Sequence, residues 1–266
     1  MENLFQVILL GIIEGITEFL PISSTGHLLI AEKLGLGARS DLFNIVIQAG
    51  AILAVTLIYW QRIWQLLINI HQPENKDYAL KLLTAFLITG DLGIIVSKLG
   101  FKLPTTITPI AWALIIGGLW MIVAERLAAK KPDNATITWP VAIVVGIAQI
   151  VAGIFPGTSR SAATIFSAML CGTSNRAAAT EFAFLVGIPT MYAASAKEIY
   201  VAMNQNLLGI HESWLDLGVG FLVSMITAFM VVKWLLRYIQ THQFIWFAIY
   251  RIIVGILLLC FLPAGA

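Results

Sequence analysis

Charge is what this sequence is shortest of. Only 11% of its 266 residues are Asp, Glu, Lys or Arg, against 59% hydrophobic, and the formal net charge is +2. A soluble domain carries about 25% charged residues, so a water-exposed fold is excluded. The positive surplus is small and scattered through short segments, which excludes nucleic acid as a partner. Cysteine is equally scarce. Cys171 and Cys260 both lie in apolar runs without CxxC or metal-ligand spacing. That excludes a disulfide framework and a zinc site, and leaves both as expected packing residues. The start, Met1-Glu2-Asn3, lacks a basic segment, and no small-residue cleavage site follows the first apolar run, so the first helix is expected to be kept. No connection is long enough to separate soluble domains, and a single membrane domain over 1–266 is expected.

What is present is apolar chain, with mean hydropathy +0.89. About 20 helical residues cross the hydrocarbon core. Six stretches reach that length, roughly 43–60, 80–97, 107–125, 178–200, 214–236 and 244–263. Polar connections such as HQPENKDY (71–78) and AKKPDNAT (129–136) read as extramembrane loops. Two further apolar regions, 4–36 and 139–172, each break at a proline followed by small polar residues, so each reads as two half-helices. Non-helical backbone at membrane depth is tolerated only where protein or a water-filled cavity covers it. Each break therefore predicts an enclosed polar site.

The two broken regions resemble each other. An ungapped alignment of GIIEGITEFLPISSTG (11–26) with GIAQIVAGIFPGTSRS (146–161) pairs Gly11 with Gly146, Glu14 with Gln149, Pro21 with Pro156, Ser23 with Thr158 and Ser24 with Ser159. With the 61–79 connection on the cytoplasmic side, that side collects Arg62, Lys76, Arg126, Lys130, Lys131, Arg176, Lys233 and Arg237. The opposite side holds Lys33, Arg39, Lys98, Lys102 and Lys197. The positive-inside bias favours this orientation. The broken segments then dip in from opposite faces. The expected fold is all-α: a polytopic membrane protein of six transmembrane helices plus two re-entrant helix-loop-helix hairpins arranged as inverted repeats, with halves near 1–128 and 136–266.

The chemistry concentrates at the two breaks. Glu14 and Glu18, four apart, share one helix face, and carboxylates at membrane depth are costly enough to imply a shared proton or a bound cation. Ser23, Ser24, Thr25, Gly26 and His27 follow Pro21, where a serine can cap the next half-helix and its first-turn amides can hold an anion. The second break supplies Arg160 among Thr158, Ser159, Ser161 and Thr164, with Gly157 allowing close backbone approach. An arginine fork with hydroxyls and amides suits a phosphate. Arg160 can equally pair with Glu14 or Glu18. Together the groups suit phosphoryl transfer, in which a serine attacks, a carboxylate or His27 takes its proton, and a cation offsets charge. Gln48 and Glu181 are candidate buttresses, Glu181 also a partner for Arg176. Arg251, beside Tyr250 well inside the last span, needs an anion or carbonyl partner. Gly11 and Gly15 read as a helix-packing face, and Trp60, Trp64, Trp139, Trp214 and Trp246 as interfacial belts.

EGITEFLPISSTGH (14–27) with PGTSRSAAT (156–164) resembles the undecaprenyl-diphosphate phosphatase family of the bacitracin-resistance type. FNIVIQ (43–48), EFAFL (181–185) and FAIYR (247–251) extend the similarity along nearly the whole chain. The resemblance implies a multi-pass enzyme of the bacterial inner membrane with a site open to the periplasm. It would convert undecaprenyl diphosphate to undecaprenyl phosphate and inorganic phosphate, recycling the carrier lipid for the cell wall and conferring bacitracin resistance. It implies catalytic roles for Glu18, Ser24, His27 and Arg160, and a divalent cation, Mg or Ca, at Glu14 and Glu18. Ser23, Thr25, Gly26, Gly157, Thr158, Ser159, Ser161 and Thr164 would bind the phosphates. Ser24 is favoured over His27 as nucleophile, and a homodimer is left open. The chain departs from the family at Ala162, where glycine is usual, and around LITGDLG (87–93), where a proline is missing and Asp91 stands, which leaves the local helix geometry open. The rival reading is a secondary transporter or flippase of phosphorylated lipid, since inverted repeats with broken helices also build carriers.

Overall fold

Helix caps and prolines set where the elements begin. In the computed structural model, which describes residues 2–37, 39–100, 106–204 and 213–261, α1 runs Glu2–Thr17 and α2 Ser24–Ala31, followed by a π-helical turn at Glu32–Leu36. Ser40 caps α3 (Asp41–Ile58) by accepting the Phe43 amide at 3.1 Å. After α4 (Trp60–Ile68), Pro73 opens α5 (Pro73–Lys98) at a first-turn position that needs no amide donor. There follow α6 (Ile107–Ala128), α7 (Trp139–Ile154), α8 (Arg160–Cys171), α9 (Arg176–Asn204), α10 (Trp214–Thr241) and α11 (Ile245–Phe261). Ser213 caps α10 through the Asp216 amide at 3.0 Å. Every described element is helical.

Among the described residues five helices are long and apolar enough to cross a membrane: Asp41–Ile58, Pro73–Lys98, Ile107–Ala128, Arg176–Val201 and Trp214–Thr241. The sixth expected stretch is α11, which is shorter at 17 residues, and the end of that stretch, 262–263, lies outside the described residues. Lys102 lies outside them too. The segment 61–79 is more helical than its polar residues suggest: α4 occupies its first half and residues 73–78 are the first turns of α5. Asp91 sits on the exposed side of an unbroken α5, so the missing proline leaves no kink there. Both cysteines are unpaired and exposed, not the packing residues expected of them. All five span-end tryptophans are exposed, as belts require.

The packing is reciprocal. α1 lies against α10, and α7 against α5. α3 lies against α10 and α9, while α6 lies against α11. Glycines make the close crossings: a Cβ on Gly11 would come within 3.0 Å of the Gly220 carbonyl, and one on Gly15 within 2.7 Å of the Ser224 carbonyl. On the other side a Cβ on Gly146 would come within 2.8 Å of the Ala85 carbonyl. The packing role expected of Gly11 and Gly15 is thus met, and Gly146 repeats it. The main core collects Phe19, Phe166, Phe182, Phe184, Met169 and Phe244 beneath both breaks.

Candidate active site

Both breaks are built alike. α1 gives way at Thr17 to a turn that leads into α2, and α7 gives way at Ile154 to a turn that leads into α8. The residue before each short helix is a serine in the left-handed region, Ser23 at φ 76° and Ser159 at φ 70°. That conformation costs a non-glycine residue of order 1–3 kcal/mol. Each is offset by a cap: Ser23 Oγ accepts the Gly26 amide at 3.4 Å and Ser159 Oγ the Ala162 amide at 3.3 Å. The equivalent residues are therefore Ser23 and Ser159, one position off the ungapped alignment, because the second turn has one more residue between its proline and its cap. That turn contains Gly157 at φ +95°, where a Cβ would meet the Ile110 carbonyl at 2.8 Å.

Glu18 joins the two tips. Its Oε1 accepts from Arg160 Nη2 at 2.8 Å and its Oε2 accepts the Ser24 hydroxyl. Glu18 is 8% exposed, so both bonds are shielded and charge-assisted. Ser161 adds a second link, donating to the Leu20 carbonyl at 3.0 Å. One helical turn before Glu18, Glu14 is buried, with its Oε2 lacking a partner among the described residues.

A cavity of about 370 Å³ opens over this group. The first tip contributes Glu18, Ser23, Ser24 and Thr25, and the second Gly157, Ser159 and Arg160. The wall comes from Gln48 on α3, Gln149 on α7, and Ser195 and Glu198 on α9. Gln149 donates its amide to Thr89 Oγ1 at 3.1 Å and Thr190 Oγ1 at 3.3 Å, leaving Oε1 without a partner among the described residues, as is Ser195 Oγ.

Five residues expected to act on or bind the phosphates do not line this cavity: Gly26, His27, Thr158, Thr164, and Ser161, whose hydroxyl is on the Leu20 carbonyl. His27 is not among the cavity residues. Its Nδ1 lies 2.7 Å from the Ser23 carbonyl, which can only accept, so Nδ1 carries a proton. Its Nε2 lies 2.7 Å from the Tyr250 hydroxyl, and the two rings stack at 5.6 Å. Thr158 lines a separate apolar groove of about 560 Å³ between α6 and α7. Thr164 donates back to the Arg160 carbonyl at 2.8 Å on its own helix. Gly26 is buried under the first cap, with its amide on Ser23.

Of the lesser candidates, Gln48 reaches the cavity, whereas Glu181 does not. Glu181 pairs with Arg62 at 3.0 Å and accepts from the Tyr78 hydroxyl at 3.5 Å, while Arg176 pairs with Glu125 at 2.5 Å, which corrects the expected Glu181–Arg176 pair. Among the described residues Arg251 finds carbonyl partners only: Pro21, Gly157, Thr158, Ala113 and Leu114. Sequence reasoning missed Gln149, Ser195 and Glu198 as cavity residues. Gln149 had a signal, its alignment with Glu14; the other two sit at the polar end of an otherwise ordinary span.

The family model for bacitracin resistance protein BacA matches residues 7–257. An undecaprenyl-diphosphatase of Rhizobium etli (strain CIAT 652) is 66% identical over 257 residues, 97% of this chain and 96% of its own. An undecaprenyl-diphosphatase of Xanthomonas oryzae pv. oryzae (strain PXO99A) is 57% identical over 266 residues, covering both chains fully. One of Xylella fastidiosa (strain 9a5c) is 57% identical over 98% of this chain and 100% of its own. With a match of that extent joined to two hydroxyl-rich tips that meet at a Glu18–Arg160 pair, the chain belongs to the bacitracin resistance protein BacA family.

Proposed function

We propose that the protein hydrolyses undecaprenyl diphosphate to undecaprenyl phosphate and inorganic phosphate. It would act in a bacterial inner membrane through a site open to the periplasm, so recycling the carrier lipid and conferring bacitracin resistance. The observation that carries this reading is Glu18, which holds Arg160 of one tip and Ser24 of the other at the edge of one cavity. The reciprocal packing of α1 on α10 and α7 on α5, with the matched Ser23 and Ser159 caps, supports an inverted-repeat architecture of six spans and two re-entrant hairpins.

In the proposed reaction Arg160, the Ser159 hydroxyl and the first-turn amides of α2 and α8 hold the terminal phosphate. Ser24 Oγ bonds to its phosphorus while the bond to the bridging oxygen breaks. The Ser24 proton passes to Glu18, already its acceptor, and on to the departing monophosphate. Water then attacks the phosphoserine, the phosphorus–Oγ bond breaks, and Glu18 relays the water's proton to Ser24. Both ring nitrogens of His27 are engaged, so His27 serves this reading by holding the Ser23 carbonyl.

A divalent cation fits the donors present. Glu14 offers a buried carboxylate oxygen without a partner among the described residues, beside Glu18, and hard cations take such oxygens. No three His, Cys, Asp or Glu gather among the described residues, so Mg or Ca would rest on Glu14, Glu18 and phosphate oxygens, where it would offset charge on the transferring group.

The test is release of inorganic phosphate from undecaprenyl diphosphate by detergent-purified protein. Turnover that disappears in Arg160→Ala and Glu18→Gln supports the proposal. Wild-type protein that binds the lipid yet frees no phosphate with any divalent cation would instead be a carrier.

A further inference from the structure

Arg251 is completely buried and has no carboxylate partner among the described residues. A guanidinium has five N–H donors, and here each finds a different backbone carbonyl. Nη1 donates to Pro21 at 3.2 Å in the first tip and to Thr158 at 2.8 Å in the second. Nη2 donates to Gly157 at 2.9 Å, again in the second tip, and to Ala113 at 3.1 Å on α6. Nε reaches the Leu114 carbonyl at 3.5 Å. The side chain thus ties both tips to each other and to α6 through one rigid, planar group.

Two further details fit this assignment. A Cβ on Gly117 would lie 2.3 Å from Arg251 Nη2, so α6 leaves out a side chain where the guanidinium sits. In a trans peptide the N–H points opposite the C=O. By fixing the Thr158 carbonyl, Arg251 turns the Ser159 amide away from itself, and Ser159 lines the cavity.

We propose that Arg251 is a positioning residue that sets the register between the two tips, and through it the meeting of Glu18, Ser24 and Arg160. The inference rests on the phosphatase reading for its kinetic consequence only; the geometric claim stands apart from it. The neighbouring Tyr250, hydrogen-bonded to His27, lets the same turn of α11 hold the first tip at a second point.

The experiment compares wild type, Arg251→Met, Arg251→Lys and Gly117→Ala, all purified in detergent. Nitroxide labels at Thr25→Cys and Thr158→Cys, with Cys171 and Cys260 replaced by Ala, report the separation of the tips by dipolar EPR. Unlabelled protein gives kcat and KM. Arg251→Met is expected to broaden the distance distribution and to lower kcat about a hundredfold, the scale of an ångström misplacement, with KM within about threefold. Arg251→Lys and Gly117→Ala are expected to fall between it and wild type. A distribution as narrow as wild type overturns the proposal, and so does a broad one with undiminished kcat. Should Arg251→Met fail to fold, Gly117→Ala decides the matter on the same two readouts. Should wild type release no phosphate, the phosphatase reading falls and the EPR comparison alone decides the register claim.

Discussion

At the scale of the residue, Glu18 has two carboxylate oxygens and a different partner for each, Arg160 on one and Ser24 on the other. Replacing it by Gln turns one acceptor into a donor and removes the charge, so Glu18→Gln is expected to lower phosphate release by at least about 10²–10³-fold, the usual loss when an oriented polar group is removed. The thermal midpoint should barely move, which separates chemistry from folding. Arg160→Lys is expected to fail nearly as completely, because an ammonium cannot span a carboxylate and a phosphate as a planar fork does. The choice of nucleophile has its own test. Rapid acid quench of protein mixed with terminally labelled diphosphate should trap an acid-stable phosphoserine that is absent from Ser24→Ala and still forms in His27→Ala, at a rate lowered about tenfold or more through the slackened Ser23 turn. An acid-labile adduct requiring His27 would reverse these roles. Much of this site was legible in the sequence, because Glu14, Glu18, Ser23, Ser24 and Arg160 are polar where a span should be apolar. The direction of each side chain was not. Thr158 and Thr164 have the right chemistry and the right neighbourhood, yet one faces a greasy groove and the other its own helix. Only packing decides that, and packing is set by residues far along the chain.

At the scale of the element, glycines determine how near the helices come. Gly50 on α3 faces the Phe221 carbonyl of α10, and a Cβ there would sit 2.4 Å from that oxygen, whereas Gly90 on α5 has nothing within 4 Å. Gly50→Ala is therefore expected to destabilise by about 1–3 kcal/mol through overpacking. Gly90→Ala should be neutral or stabilise by up to about 1 kcal/mol, since it only removes backbone freedom. Thermal unfolding in detergent reads both, and equal shifts would count against the crossing. The long helices were legible from hydropathy, most of them within a few residues, although α5 begins at Pro73, ahead of the expected 80, and α10 runs on to Thr241, past the expected 236. α4 was not: its residues Gln61, Arg62 and Gln65 read as loop, but Trp64, Leu66 and Leu67 give them a helical face that local polarity hides. The one-residue offset between the tips also escaped a gapless comparison, because the added residue lies in a turn where Gly157 absorbs it.

At the scale of the whole molecule, the proposed inverted arrangement places the two tips' entrances on opposite faces. In cells carrying the cysteine-free background, Thr25→Cys is expected to react with a membrane-impermeant maleimide from the periplasm, and Lys130→Cys only after the inner membrane is permeabilised. Labelling of both from one side would rule out the arrangement. The reciprocal packing bears on how the protein is made. α1 leaves the ribosome first, yet the helix it lies against is α10, synthesised roughly 10–40 s later at ordinary translation rates. Until then the face of α1 that carries Gly11 and Gly15 lacks the helix it packs against, whereas Glu18, in the turn after α1, gains Ser24 at once and Arg160 before α10 is made. A nascent chain of this protein therefore carries an open glycine face on its first helix through most of its own synthesis, and closes it only once α10 is in place.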